Sequence, residues 1–155
     1  MNHSFDDYLT LLDEMRAALS SLSDLERQKA AAVRSNDLTE LDRIMKLEQA
    51  ASLKFRGFEQ RQGTLMAELD LKGTPLSGLA DKFPSDLRLK AKQTVENLQS
   101  QYKVYRGSAE VARNTLECNL HEIDKILAGN APTQGPGYEH PDPQLPPKMK
   151  TDFRA

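Results

Sequence analysis

The chain has 155 residues, enough for one domain with its own core and short for two. Charged residues make up 28% and aromatics 6%, without a tryptophan, and the formal net charge is −2, so the basic footprint of a nucleic-acid binder is missing and no DNA or RNA partner is expected. The single cysteine, Cys118, cannot close an internal disulfide, and no apolar run approaches the roughly 18 residues of a membrane span, so a cytoplasmic chain without membrane insertion is expected.

The N-terminal "MNHSFDDYLTLLDEM" carries acids where a signal peptide would carry a basic region and an apolar run. Its apolar residues, Phe5, Tyr8, Leu12, Met15, Leu19 and Leu22, alternate steps of three and four, the rhythm of a helix with one buried face. Leu9 and Leu25 widen the stripe, and Glu26 and Lys29 interrupt it before Val33. Ser4 is a candidate N-cap, with Asp6 and Asp7 in the first turn where the helix dipole favours acids.

The pattern then stumbles at Ser35-Asn36-Asp37. "DLTE" has the form of a capping box, Asp37 at the cap and Glu40 three residues on, and the apolar phase restarts at Leu38, so a hairpin between two helices is predicted. A phosphate site is the weaker reading here, because a capping aspartate takes the N–H groups an anion would need. Leu41, Ile44, Leu47, Ala51, Phe55, Phe58, Gln62, Leu65 and Leu69 continue at helical spacing, with Gly57 and Gly63 as weak points. Gly73 is a predicted stop, and Thr74-Pro75 a predicted start for one or two turns ending at Pro84.

From Ser85, a candidate cap, a third long helix is predicted. Val95, Leu98, Tyr102, Tyr105, Ala109, Ala112, Leu116, Asn119, Ile123 and Ile126 keep the same rhythm until Gly129. At about 1.5 Å per residue it would reach roughly 65 Å against about 45–50 Å for the first two, so its far end should outrun them with part of its apolar stripe uncovered. Residues 130–155 hold six of the eight prolines and few apolar residues, which predicts a disordered, flexible tail. The expected fold is all-α: a long antiparallel bundle of three long helices plus one short helix (about 5–34, 37–71, 75–83 and 85–128) within 1–129, followed by that Pro/Gly-rich tail.

No catalytic constellation accompanies these helices. His3 and His140 lie near the chain ends; Glu117 and His121 stand at i, i+4, which supplies two metal ligands and no more, and "HEIDK" lacks the second histidine of a zinc-protease helix. There is no Gly-rich phosphate loop and no Gly-x-Ser-x-Gly elbow. Arg16, Arg27, Arg34 and Arg43 are candidates for the basic pocket of a small mutase-type bundle enzyme, but they fall at polar phases among acids, and "RLKAK" (Arg88–Lys92) is too short for a nucleic-acid surface. The expectation is an interaction protein, neither an enzyme nor the holder of a metal or cofactor.

The succession of hairpin, short helix, longer last helix and Pro/Gly tail resembles the FlgN family of flagellar type III export chaperones. The residues that carry the resemblance are the leucine-patterned first helix, "SNDLTELDRIMKLEQ", "LMAELDLKGTPLSGLADKF", "ARNTLECNLHEIDKIL" and "GPGYEH", over roughly residues 5–140. It implies a cytoplasmic chaperone that binds the C-terminal segments of hook–filament junction proteins, keeps them from associating with one another, and hands them to the export gate and its ATPase. Amphipathic client helices of that kind suit an apolar groove read at i, i+3, i+4 and i+7. The candidate contact residues are Leu116, Leu120, Ile123, Ile126 and Leu127 at the end of the third helix, with Tyr138 in the tail for the export gate. A coiled-coil adaptor subunit of another assembly is the alternative, and a second copy closing the uncovered helix end would make a homodimer.

Overall fold

Thirty-four residues, Asn2–Ser35, form α1, which places Ser4 inside the helix instead of at its cap. The computed structural model describes residues 2–128, with side chains from Phe5 onward; the predicted tail, and Tyr138 with it, lies outside the described residues. α1 closes with Asn36 in the left-handed region at φ 55°, where the Asp37 N–H reaches back to the Ala32 carbonyl at 2.9 Å. That six-to-one bond is a Schellman closure, and asparagine tolerates its backbone better than most residues.

The next helix starts at once. α2 runs Leu38–Glu68, and the Asp37 carboxylate accepts from the Glu40 N–H at 3.0 Å. Only half of the predicted capping box forms: the Asp37 N–H is spent on Ala32, and the Glu40 carboxylate turns to Arg43. α2 ends earlier than the sequence suggested, because Asp70 (φ 56°), ahead of Gly73, takes the left-handed position and Leu71 N–H bonds Met66 O at 2.8 Å. Gly73, at φ 80°, serves the following turn.

A short α3, Leu76–Leu79, runs into a 3₁₀ turn, Ala80–Lys82, with Pro75 at its cap instead of Thr74. α4 then spans Arg88–Ala128, starting three residues after Ser85, since the first helical bond is Ala91 N–H to Leu87 O.

The three long helices run up, down and up. Gln62 donates to the Tyr8 hydroxyl at 3.1 Å and Arg61 to Glu14 at 2.7 Å, so α2 returns antiparallel to α1. Phe5 meets Phe83 edge to face at 4.9 Å, just before α4 begins, and Arg27 reaches Ser108 at 3.4 Å, so α4 runs parallel to α1. α1 is the shared helix, packed along both others, while no Cα of α2 comes within 8 Å of α4. Large side chains fill the space between them: Phe55 and Phe58 from α2, Leu98 and Tyr105 from α4, and Leu12, Met15 and Leu19 from α1 form one buried cluster. Leu76, Leu79 and Phe83 plug its lower end beneath Tyr8. At the upper end the buried residues are mostly small, Ala30, Ala32, Ala109 and Ala112, joined by Val33 and Ile44. The molecule is all-α, with no strand among the described residues.

Candidate interaction surface

Because α1 and α4 run in parallel register, the level at which α1 stops can be read off α4. Arg27 sits beside Ser108, and α1 continues eight residues to Ser35, so its end lies level with about residue 116 and some 12 residues of α4, about 18 Å, project past the hairpin corner. The consequence for the apolar stripe is direct. Tyr105, Ala109 and Ala112 are buried, Leu116 is exposed, Leu120 is half-buried, Ile123 is exposed, and Leu127 reaches 52% exposure. These positions follow one another at steps of four or three, so they are one continuous face of one helix. The stripe keeps its phase while its cover ends.

Ile126, at the edge of this face, is also exposed. Acidic residues dominate the tip. Between Glu117 and Ala128 the charged residues are Glu117, Glu122, Asp124 and Lys125. Glu117 accepts from Arg113 at 3.1 Å, one turn below, and together with Asp124 borders one side of the stripe. Around the helix from the stripe, an open groove of about 500 Å³ separates α1 from α4, lined by Val33, Val111, Asn114, Cys118 and Glu122. Cys118 is exposed and unbridged. A second scatter of exposed apolar residues, Leu38, Met45, Leu47 and Leu53, decorates α2, and Leu47 is exposed although its spacing puts it in phase with Ile44 and Ala51.

The residues whose types could serve metal or catalytic chemistry stay apart. Glu117 and His121 gain no third ligand, and no cluster of three or more metal-ligating side chains exists among the described residues. Arg27, Arg34 and Arg43 are exposed; Arg27 pairs with Asp24, and Arg43 pairs with Glu40 and donates to Gln28 at 2.8 Å. No helix among the described residues is long and apolar enough to cross a membrane.

A polar cluster inside the bundle was not singled out from the sequence. Lys29 of α1 lies 3.1 Å from Glu26 and 2.8 Å from Glu48 of α2, and the Glu26 and Glu48 oxygens it meets are themselves buried, with no other hydrogen-bond donor among the described residues. Burial, and after it the nearby Glu48 charge, raises the Glu26 carboxyl above the usual carboxylate range despite Lys29. Burial pulls Lys29 downward, but the two carboxylates outweigh it and leave the ammonium above an ordinary lysine. Tyr105 of α4 is raised chiefly by burial and then by the same two acids, so all three long helices converge here. The signal was present in the sequence as the interruption of the α1 stripe at Glu26 and Lys29.

The arrangement offers an apolar helix face with an acidic border, held clear of the hairpin. Compared with models of protein families, with curated proteins and with solved structures, the chain finds no match.

Proposed function

We propose that this protein is a cytoplasmic chaperone of flagellar type III export, which holds the C-terminal helical segments of hook–filament junction proteins apart until they are passed to the export gate and its ATPase. The observation that supports this reading is the apolar stripe of α4, buried as far as Ala112 and then exposed at Leu116, Ile123 and Leu127 with Leu120 half-buried. An amphipathic client helix laid along it would bury the same kind of surface that it otherwise presents to its neighbours in the assembled filament. Leu116, Leu120, Ile123 and Leu127 are four aliphatic anchors. At about 1.5–3 kcal/mol for a side chain taken from full exposure to full burial, and with about half or less of each still exposed, they provide roughly 3–6 kcal/mol before the costs of association and ordering. A reversible micromolar complex, near −8 kcal/mol, therefore needs the whole stripe together with contacts beyond these four side chains.

The test is binding of the full-length protein to a peptide from the C-terminus of a junction protein, followed by calorimetry. Leu120→Asp with Ile123→Asp removes two anchors and is expected to weaken binding on the order of 100-fold, with the helical circular-dichroism signal and melting temperature retained, since Ile123 is exposed and Leu120 half-buried. Unchanged affinity in that variant, or no binding by the wild type, would sink the proposal.

A further inference from the structure

We infer that the exposed stripe of α4 has an occupant within the same chain: the segment Leu145–Arg154, which folds back onto the Leu116–Leu127 face. This goes beyond the chaperone reading and stands whether or not an export client also uses the surface.

Three observations select this occupant. The first is chemical pattern. Leu145, Met149 and Phe153 recur at intervals of four, and Lys148, Lys150 and Arg154 lie between and beside them. The stripe presents aliphatic side chains with acids around them: Glu117 and Asp124 on one border and Glu122 further round. Apolar anchors flanked by cations match an apolar face flanked by anions.

The second is reach. Leu145 comes seventeen steps along the chain after Ala128, and at about 3.3–3.6 Å per step the linker can span up to roughly 55–60 Å. The return from Leu127 to Leu116 along α4 is only about 16 Å. Tethering also makes the local concentration high, on the order of millimolar for a short linker, so weak contacts suffice.

The third argues against the nearest rival, a second copy of α4. Pairing two tips antiparallel around Leu120 and Ile123 sets Glu117 of one copy opposite Asp124 of the other. Like charges at such flanking positions oppose association. A basic segment removes that conflict.

The docked segment would keep the α4 face from associating with unrelated partners, and any ligand for that face would have to displace it.

The exposed, single Cys118 makes this measurable in the full-length protein. It lies two residues from both Leu116 and Leu120, about 200° around the helix and so on the side opposite the stripe, where a nitroxide leaves the face open while staying about one helix diameter, roughly 10–12 Å, away from it. Amide signals of ¹⁵N-labelled residues 145–154 are expected to be attenuated by the nitroxide. The attenuation should be lost in Met149→Asp/Phe153→Asp, lost equally in Leu120→Asp/Ile123→Asp on the opposing surface, and reduced in Lys148→Glu/Lys150→Glu. Equal attenuation in the wild type and in all three variants would mean only that a tethered segment passes nearby, and overturns the inference. So would attenuation of equal strength in a mixture of ¹⁵N chains without label and spin-labelled ¹⁴N chains, which assigns the contact to a second copy.

Discussion

Lys29 of α1 and Glu48 of α2 meet at 2.8 Å, and the same ammonium lies 3.1 Å from Glu26, one turn earlier on α1. One cation thus serves two carboxylates at the level where Tyr105 of α4 closes the core. Removing the cation leaves two acids facing each other with no counter-charge. Lys29→Met is expected to lower stability by about 2–3 kcal/mol at neutral pH, below the usual cost of breaking a fully buried pair, because Lys29 and Glu48 keep 21% and 26% of their side chains exposed. Urea unfolding of the variant measures it. A change under about 0.5 kcal/mol would put the pair in the class of surface ion pairs.

The pH dependence follows from the two opposite consequences of that cluster. Glu26 has its carboxyl raised in the folded chain, so between the unfolded value of 4.5 and its higher folded value the native state holds more proton than the unfolded one. Stability from this group therefore falls as pH rises through that window and stays lower above it. Glu26→Gln is expected to remove that fall, so that the difference in unfolding free energy between variant and wild type grows in the variant's favour from about pH 4.5 upward. Lys29, raised above 10.5, contributes stability that is complete below 10.5 and lost as pH climbs through its folded value. Urea titrations across the acid range, with wild type and variant side by side, check the sign. A difference that does not change with pH would mean that Glu26 titrates like an exposed glutamate.

Gly57 and Gly63 interrupt α2 without a packing reason. A methyl group built at either position meets no other atom within 4 Å. Each glycine therefore carries its backbone entropy cost with no contact to offset it. Gly57→Ala and Gly63→Ala are each expected to stabilise the protein by about 0.5–1 kcal/mol, raising the melting temperature about 1–4 °C apiece. The effects should add, since the two sites are about 9 Å apart along the helix. A loss of stability in either variant would show that α2 uses that position for a close approach.

Much of the fold could be read from local patterns because each is a local physical requirement. Asp37 was identifiable as a cap from its spacing to Glu40, and the observed bond is to that residue's N–H. The same reading overestimated the box, because the Asp37 N–H has a competing acceptor, Ala32 O, that belongs to the helix before it. Gly73 as the end of α2 lost to Asp70 for a similar reason: the closing bond from Leu71 to Met66 decides which residue must turn left-handed, and composition favours glycine only when that geometry is free to choose. Glu26 and Lys29 looked like gaps in a stripe, and only the arrival of Glu48 from α2 turned them into a buried cluster.

The sequence by itself determined which residues of α4 share a face, because a rhythm of threes and fours fixes angles around a helix and nothing else is needed. It could not determine where along that face burial stops. That depended on the corner at Asn36 and Asp37, on the parallel alignment of α1 with α4, and on the register that sets Arg27 beside Ser108. Ala112 and Leu116 are one turn apart on the same stripe, yet one is buried and the other exposed, because the neighbouring helix has come to its end. Periodicity is a property of one chain segment, whereas cover is supplied by another, and only the tertiary structure brings the two together.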